Sequence, residues 1–178
     1  ESGFPSPRQL DAEGGLDRVA ADTEEKAKFL LDLGVNFNYA PVCDMSGNPE
    51  CFIFDRTYSN DPVATAAYAE TVVSVMNREH IVGSIKHFPG YGDNVDTHTS
   101  IAHDDRPLSQ FLEKDLKPFE AGIRAGAPIV MVAHNIVSCM DPECPASLSP
   151  AVHRFLREDM GFEGLIMTDS LDMNAITI

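Results

Sequence analysis

Short apolar runs alternate with longer amphipathic stretches along the chain. Between Thr23 and Leu33, apolar Ala27, Leu30 and Leu31 fall among charged Glu24, Glu25, Lys26 and Lys28, the spacing of a helix with one buried face. Val35 to Val42 predicts a strand, and a long polar segment follows to about Asn60. Asp61-Pro62, with Asp as cap and Pro in the first turn, predicts the start of a helix that runs to about His80. The alternation then repeats. A strand is predicted from Ile81 to Phe88, a helix from Ser109 to Ala125 and a strand from Pro128 to Ala133. A helix from about Pro150 to Met160 and a strand from Gly164 to Thr168 complete the series.

Strands that are apolar nearly throughout and alternate with helices predict a buried parallel sheet. Polar residues gather just after each strand: Asp44 and Arg56, then Lys86 and His87, then His134, then Asp169. A (β/α) barrel and an open doubly wound sheet both place ligands at strand carboxyl ends. The chain has no G-x-G-x-x-G and no phosphate loop, which weighs against a nucleotide site. A closed barrel needs eight strands and typically about 250 residues. Only four are predicted here, and four units leave two open sheet edges. The expected fold class is therefore α/β, a (β/α)8 TIM-barrel type present as a partial barrel of about four βα units. Residues 1–178 are expected to form part of that single domain.

The 178 residues are 43% hydrophobic, ample for one core, with no apolar run long enough to cross a bilayer. A formal charge of -15 with only 13 Lys and Arg argues against binding a phosphate backbone, so no nucleic-acid partner is expected. The cysteines fall as two close pairs, Cys43 with Cys51 and Cys139 with Cys144, and neither has Cys-x-x-Cys spacing. Two local disulfides would fit an extracellular protein and four free thiols a cytosolic one; the spacing tilts toward export or the cell surface. Glu1 rather than Met opens the chain, which points to a processed or trimmed start.

The segment richest in chemistry is K-H-F-P-G-Y-G-D-N-V-D-T-H, Lys86 to His98. A strand ending in Lys-His and passing into a Pro/Gly-rich polar loop presents side chains from a rigid base. Asp96 and His98, two residues apart, have the spacing for a carboxylate–imidazole pair, an arrangement suited to moving protons near neutral pH. A surface turn with incidental histidines is the competing reading. His87, His98 and His103 do not make a convincing metal cluster, so no metal and no cofactor are expected.

Six segments in order carry a resemblance: F-N-Y-A-P-V-C-D, D-R-T-Y-S-N-D-P, K-H-F-P-G-Y-G, D-T-H, M-V-A-H and G-F-E-G-L-I-M-T-D-S-L-D-M. Together they resemble the N-terminal barrel domain of glycoside hydrolase family three, in its β-N-acetylglucosaminidase branch. The resemblance implies Asp169 as catalytic nucleophile, His98 as general acid/base and Asp96 as its orienting partner. It implies Arg56, Lys86 and His87 as holders of the sugar hydroxyls, with His134 beside them and Asp44 in supporting roles. The implied reaction is a retaining double displacement with imidazole in place of the usual second carboxyl group. The structural alternatives are a helix-cap role for Asp169 or Asp172, an ion pair of Arg56 with Asp55 or Asp61, and a polar pair of Lys86 with His87 at the barrel rim. His103 to Arg106 are expected to form a solvated loop or helix entry, and Met131, Met167 and Met173 to be core.

Two departures from the family pattern stand out. Tyr91 replaces the His usual in K-H-F-P-G-H-G, and Asp11 to Gly15 carries the letters of a sugar-gripping D-x-E-G-G in the wrong place, a coincidental match. The leading expectation is release of terminal β-linked N-acetylhexosamine from peptidoglycan or chitin-type oligomers. The alternatives are a phosphorylase or β-glucosidase of the same family, and an inert barrel fragment that self-associates.

Overall fold

The computed structural model describes residues 3–94, 101–173 and 176. In chain order it contains α1 (Pro7–Asp32), β1 (Phe37–Asn38), α2 (Pro62–Arg78), β2 (Val82–Phe88), β3 (His103–Asp104), α3 (Leu108–Gln110), α4 (Leu116–Arg124), β4 (Ile129–Val132), β5 (Ile136–Val137), α5 (Pro150–Arg154) and β6 (Leu165–Thr168). The main sheet is four-stranded in the order β1-β2-β4-β6, and every neighbouring pair is parallel. Each large strand lies beside the next one in sequence, as a βα succession in a TIM-barrel-type fold requires. A separate two-stranded parallel ladder joins β3 to β5.

Alternation along the strands divides the sheet into two faces. Ile85, Val130 and Val132 pack with Leu116 and Phe119 of α4, Val152 of α5 and Leu156. The intervening Lys86 and Met131 face the other way and line a cleft. A second cluster joins α1 and α2 through Leu10, Val19, Ala27, Tyr68, Val72 and Met76. Gly122 brings α4 very near β2: a Cβ there would lie 3.0 Å from Ile85 Cγ2.

The helix ends follow local chemistry. The Asp61 side chain accepts from the Ala64 N–H at 2.7 Å and Pro62 fills the first turn, the predicted start of α2. Helix α1 begins well before the predicted Thr23. Ser6 and Gln9 form a reciprocal capping box, and the helix passes a kink at Gly14-Gly15, where Gly15 holds φ +60°. The Asp11–Gly15 segment therefore lies within a kinked helix, where Asp11 accepts the Tyr58 hydroxyl at 2.5 Å.

The predicted Val35–Val42 strand is regular only over Phe37–Asn38. Pro41 has no N–H for the ladder, yet Ser84 N–H still donates to Ala40, Lys86 N–H to Pro41, and Val42 bridges Lys86. The predicted Ser109–Ala125 helix widens to π spacing over Phe111–Asp115, just before Pro118, which returns no N–H to Lys114. The last predicted helix likewise passes from α5 into a π turn at Phe155–Asp159. No described helix is long and apolar enough to cross a membrane. All four cysteines are free thiols, so the disulfide alternative is not realised here.

Candidate active site

A cleft of about 420 Å³ opens at the carboxyl ends of the parallel strands, lined by Tyr39, Arg56, Lys86, His87, Met131, Met167 and the segment Thr168–Ser170. Asp169 directly follows β6, and its N–H donates to the Val132 carbonyl at 3.0 Å, so the sheet ladder itself carries the carboxylate into the cleft. The Ser170 N–H donates to Asp169 Oδ1 at 2.8 Å. Asp172 instead receives the Ser170 hydroxyl.

Lys86 and His87 end β2. Asp44, buried at 1% exposure, accepts the His87 N–H at 3.0 Å and His87 Nδ1–H at 2.6 Å on one oxygen, and the Tyr91 N–H at 2.8 Å on the other. Burial pushes the Asp44 carboxyl up, but the attraction and hydrogen bonds of His87, with the Tyr91 N–H, more than offset this and hold it below its ordinary value. With Nδ1 donating to Asp44, His87 directs Nε2 toward Arg56 Nη2, 3.5 Å away. Burial pulls the Lys86 ammonium down to about 8, and the nearby Arg56 charge adds to the shift; Asp169 and Asp44 partly oppose it. Tyr39 offers its ring face 5.4 Å from Lys86 Nζ.

Arg56 stands on a short 3-10 turn, Phe54–Arg56. No carboxylate among the described residues pairs with it, so neither Asp55 nor Asp61 neutralises it as the structural alternative required. Arg8 of α1 holds that turn. It donates to the Phe54 carbonyl at 3.2 Å, the Ser46 carbonyl at 2.6 Å and the Thr57 hydroxyl at 2.7 Å, with its guanidinium 3.8 Å from the Phe54 ring centroid. Neither Arg8 nor Tyr39 was legible as a site residue in the sequence.

Four of the seven expected site residues, Asp169, Arg56, Lys86 and His87, thus meet in one cleft. Asp96 and His98 lie outside the described residues. His134 takes a different place from the expected sugar-holding group. It is wholly buried, with Nδ1 2.7 Å from Ser147 Oγ and Nε2 2.7 Å from the Ser170 carbonyl. Both nitrogens face protein rather than the cleft.

Three further expectations are corrected or refined. Met131 and Met167 are strand residues that also line the cleft. Residues His103 to Arg106 are not simply a solvated loop: β3 includes Asp104, which is buried and held by Arg106. Tyr91 is buried at the His87 ring, 5.2 Å between centroids and edge-on, and is a packing partner of the site. No group of three or more His, Cys, Asp or Glu suited to a metal occurs among the described residues.

A parallel βα sheet with a carboxylate, an imidazole and two cations converging at its strand carboxyl ends defines a TIM-barrel-type α/β domain with a polar ligand cleft. The protein-family model described as "Glycosyl hydrolase family 3 N terminal domain" matches residues 1–178, and the chain belongs to that family. It is similar to a beta-hexosaminidase of Xylella fastidiosa (strain M12), 40% identical over 167 residues that cover 93% of this chain and 50% of that protein. It is also similar to the solved glycoside hydrolase family 3 beta-N-acetylglucosaminidase from Paenibacillus sp. str. FPU-7. There the TM-score is 0.93 and the identity 31%, over 99% of this chain and 35% of that one. A solved beta-glucoside phosphorylase matches with TM-score 0.91 and 28% identity, over 98% of this chain and 34% of that one. The chain spans about half the length of the curated relatives it matches.

Proposed function

We propose that this chain carries the catalytic cleft of a retaining glycosidase that releases terminal β-linked N-acetylhexosamine, as part of a single (β/α) barrel domain. The observation that carries the reading is Asp169 held by the sheet at a strand carboxyl end, facing Lys86, Arg56 and His87 across a cleft of sugar-ring size. The beta-hexosaminidase names of its relatives support this substrate class. Asp169 attacks the anomeric carbon and forms a glycosyl ester as the leaving oxygen departs. His98 donates the proton to that oxygen, oriented by Asp96. Neutral His98 then takes a proton from water, whose oxygen attacks the anomeric carbon and frees Asp169. Lys86, Arg56 and the Nε2 edge of His87 hold the ring hydroxyls.

The test is p-nitrophenol release from its β-N-acetylglucosaminide and β-glucoside, with and without phosphate, by the protein at its full natural length. Asp169→Ala is expected to lower the amino-sugar rate by more than about 10³-fold while leaving the fold intact. A sugar phosphate among the products would move the chain to the phosphorylase class. Failure to cleave either glycoside would sink the reading.

A further inference from the structure

The strongest unassigned group is His134, at the carboxyl end of β4. Its Nε2 lies 2.7 Å from the Ser170 carbonyl oxygen, which only accepts, so Nε2 carries the proton. In the neutral ring Nδ1 then accepts from the Ser147 hydroxyl, 2.7 Å away. Ser147 is itself fixed, its N–H donating to the Ala133 carbonyl at 2.9 Å. The other end of the chain of contacts reaches the nucleophile, because the N–H of that same Ser170 donates to Asp169 Oδ1. Ser170 is thus held at its carbonyl by His134 and holds the carboxylate with its N–H. Among the described residues no hydrogen bond falls on Asp169 Oδ2.

We propose that His134 is a positioning residue for the nucleophile. By fixing the Ser170 backbone it keeps the Ser170 N–H on Oδ1 and so presents Oδ2 to the anomeric carbon. The role rests on the glycosidase reading above and deepens it. A direct sugar contact is excluded by geometry, since the ring is fully buried and both nitrogens are engaged by protein. A filler of the core would need neither nitrogen.

Two substitutions separate the possibilities. The amide nitrogen of glutamine reaches the place of Nε2, whereas that of asparagine reaches only the place of Nδ1. Loss of a fixed nucleophile orientation of this kind costs up to about 10²-fold in rate. His134→Asn is therefore expected to lower kcat by about 10- to 100-fold with KM within about twofold. His134→Gln should stay within about fivefold of the parent kcat. Thermal midpoints measured alongside give the folded fraction of each variant. Equal kcat losses in both variants that vanish when scaled to folded protein would reduce His134 to a core residue and overturn the proposal. A rise confined to KM would make it a substrate contact, and an undiminished kcat in His134→Asn would also overturn it. A parent protein that cleaves no glycoside sinks the glycosidase reading itself; an active parent with an insensitive His134 sinks only the positioning role.

Discussion

Two polar clusters stand near one another at the carboxyl side of the sheet, one buried and one opening into the cleft, and they differ in how far their groups are already satisfied. In the first, Arg106 reaches two carboxylates: Nε and Nη2 make three contacts with Asp104, and Nη1 makes two with Asp115. Burial pulls the Arg106 guanidinium down, but the hydrogen bonds and charges of both aspartates outweigh it and leave it above its ordinary value. In the second, Lys86 and Arg56 lie close together at the cleft and Lys86 is pushed down. The shifts have opposite signs because paired carboxylates outweigh burial at Arg106, whereas at Lys86 burial and the Arg56 charge outweigh the attraction of Asp169 and Asp44. Cations converging on an open cleft without an ion-pair partner among the described residues are the arrangement a ligand site presents.

Breaking the closed cluster is expected to give the largest effect on stability. Arg106→Ala leaves two buried carboxylates unpaired, which costs about 3–5 kcal/mol. A urea titration should show that loss, with kcat per folded molecule unchanged; an equal fall in kcat would erase the contrast between the clusters. Asp44→Asn acts on the open cluster instead. It replaces one of the two accepting oxygens by a donating NH2, so either the His87 pair or the Tyr91 N–H loses its acceptor, and kcat/KM should fall by about 10- to 100-fold, read by steady-state kinetics. Retained activity would mean that His87 needs no orientation.

The smallest effect is a pH dependence. Because Lys86 loses its proton near pH 8 in the folded protein, KM should rise by up to about tenfold above that pH. Lys86→Met should raise KM at pH 7 and remove the inflection. The linkage has a definite sign. The folded pKa lies below the ordinary 10.5, so the unfolded chain binds more protons between about 8 and 10.5, and the Lys86 contribution to stability rises with pH across that window. A KM profile flat from pH 7 to 9.5 would show that the ammonium does not hold substrate.

Much of the main sheet was legible because its strands are apolar runs bounded by turn residues, and Asp169, Lys86 and His87 stand directly at or after strand ends, whereas Arg56 lies on a 3-10 turn in the long segment after β1. What escaped were features decided by distant partners. The β3–β5 ladder is two residues long and has no period to read. Asp104 and Arg106 look like solvated charges until Asp115, nine residues past Arg106, closes on them. The early start of α1 had a signal, the S-x-x-Q capping box at Ser6 to Gln9, but the Gly14-Gly15 pair reads locally as a break. His134 illustrates the limit most clearly. Its position at a strand end was visible, while its contact with the segment after Asp169 depends on where Ser170 returns.

The close approach at Gly122 reaches beyond packing. Ile85, the residue it touches, is followed directly in β2 by Lys86. A methyl group at position 122 would press on the strand that carries Lys86, so an outer helix becomes a lever on the cleft. The shape of the cleft then depends on a glycine of a helix that contributes nothing to its lining.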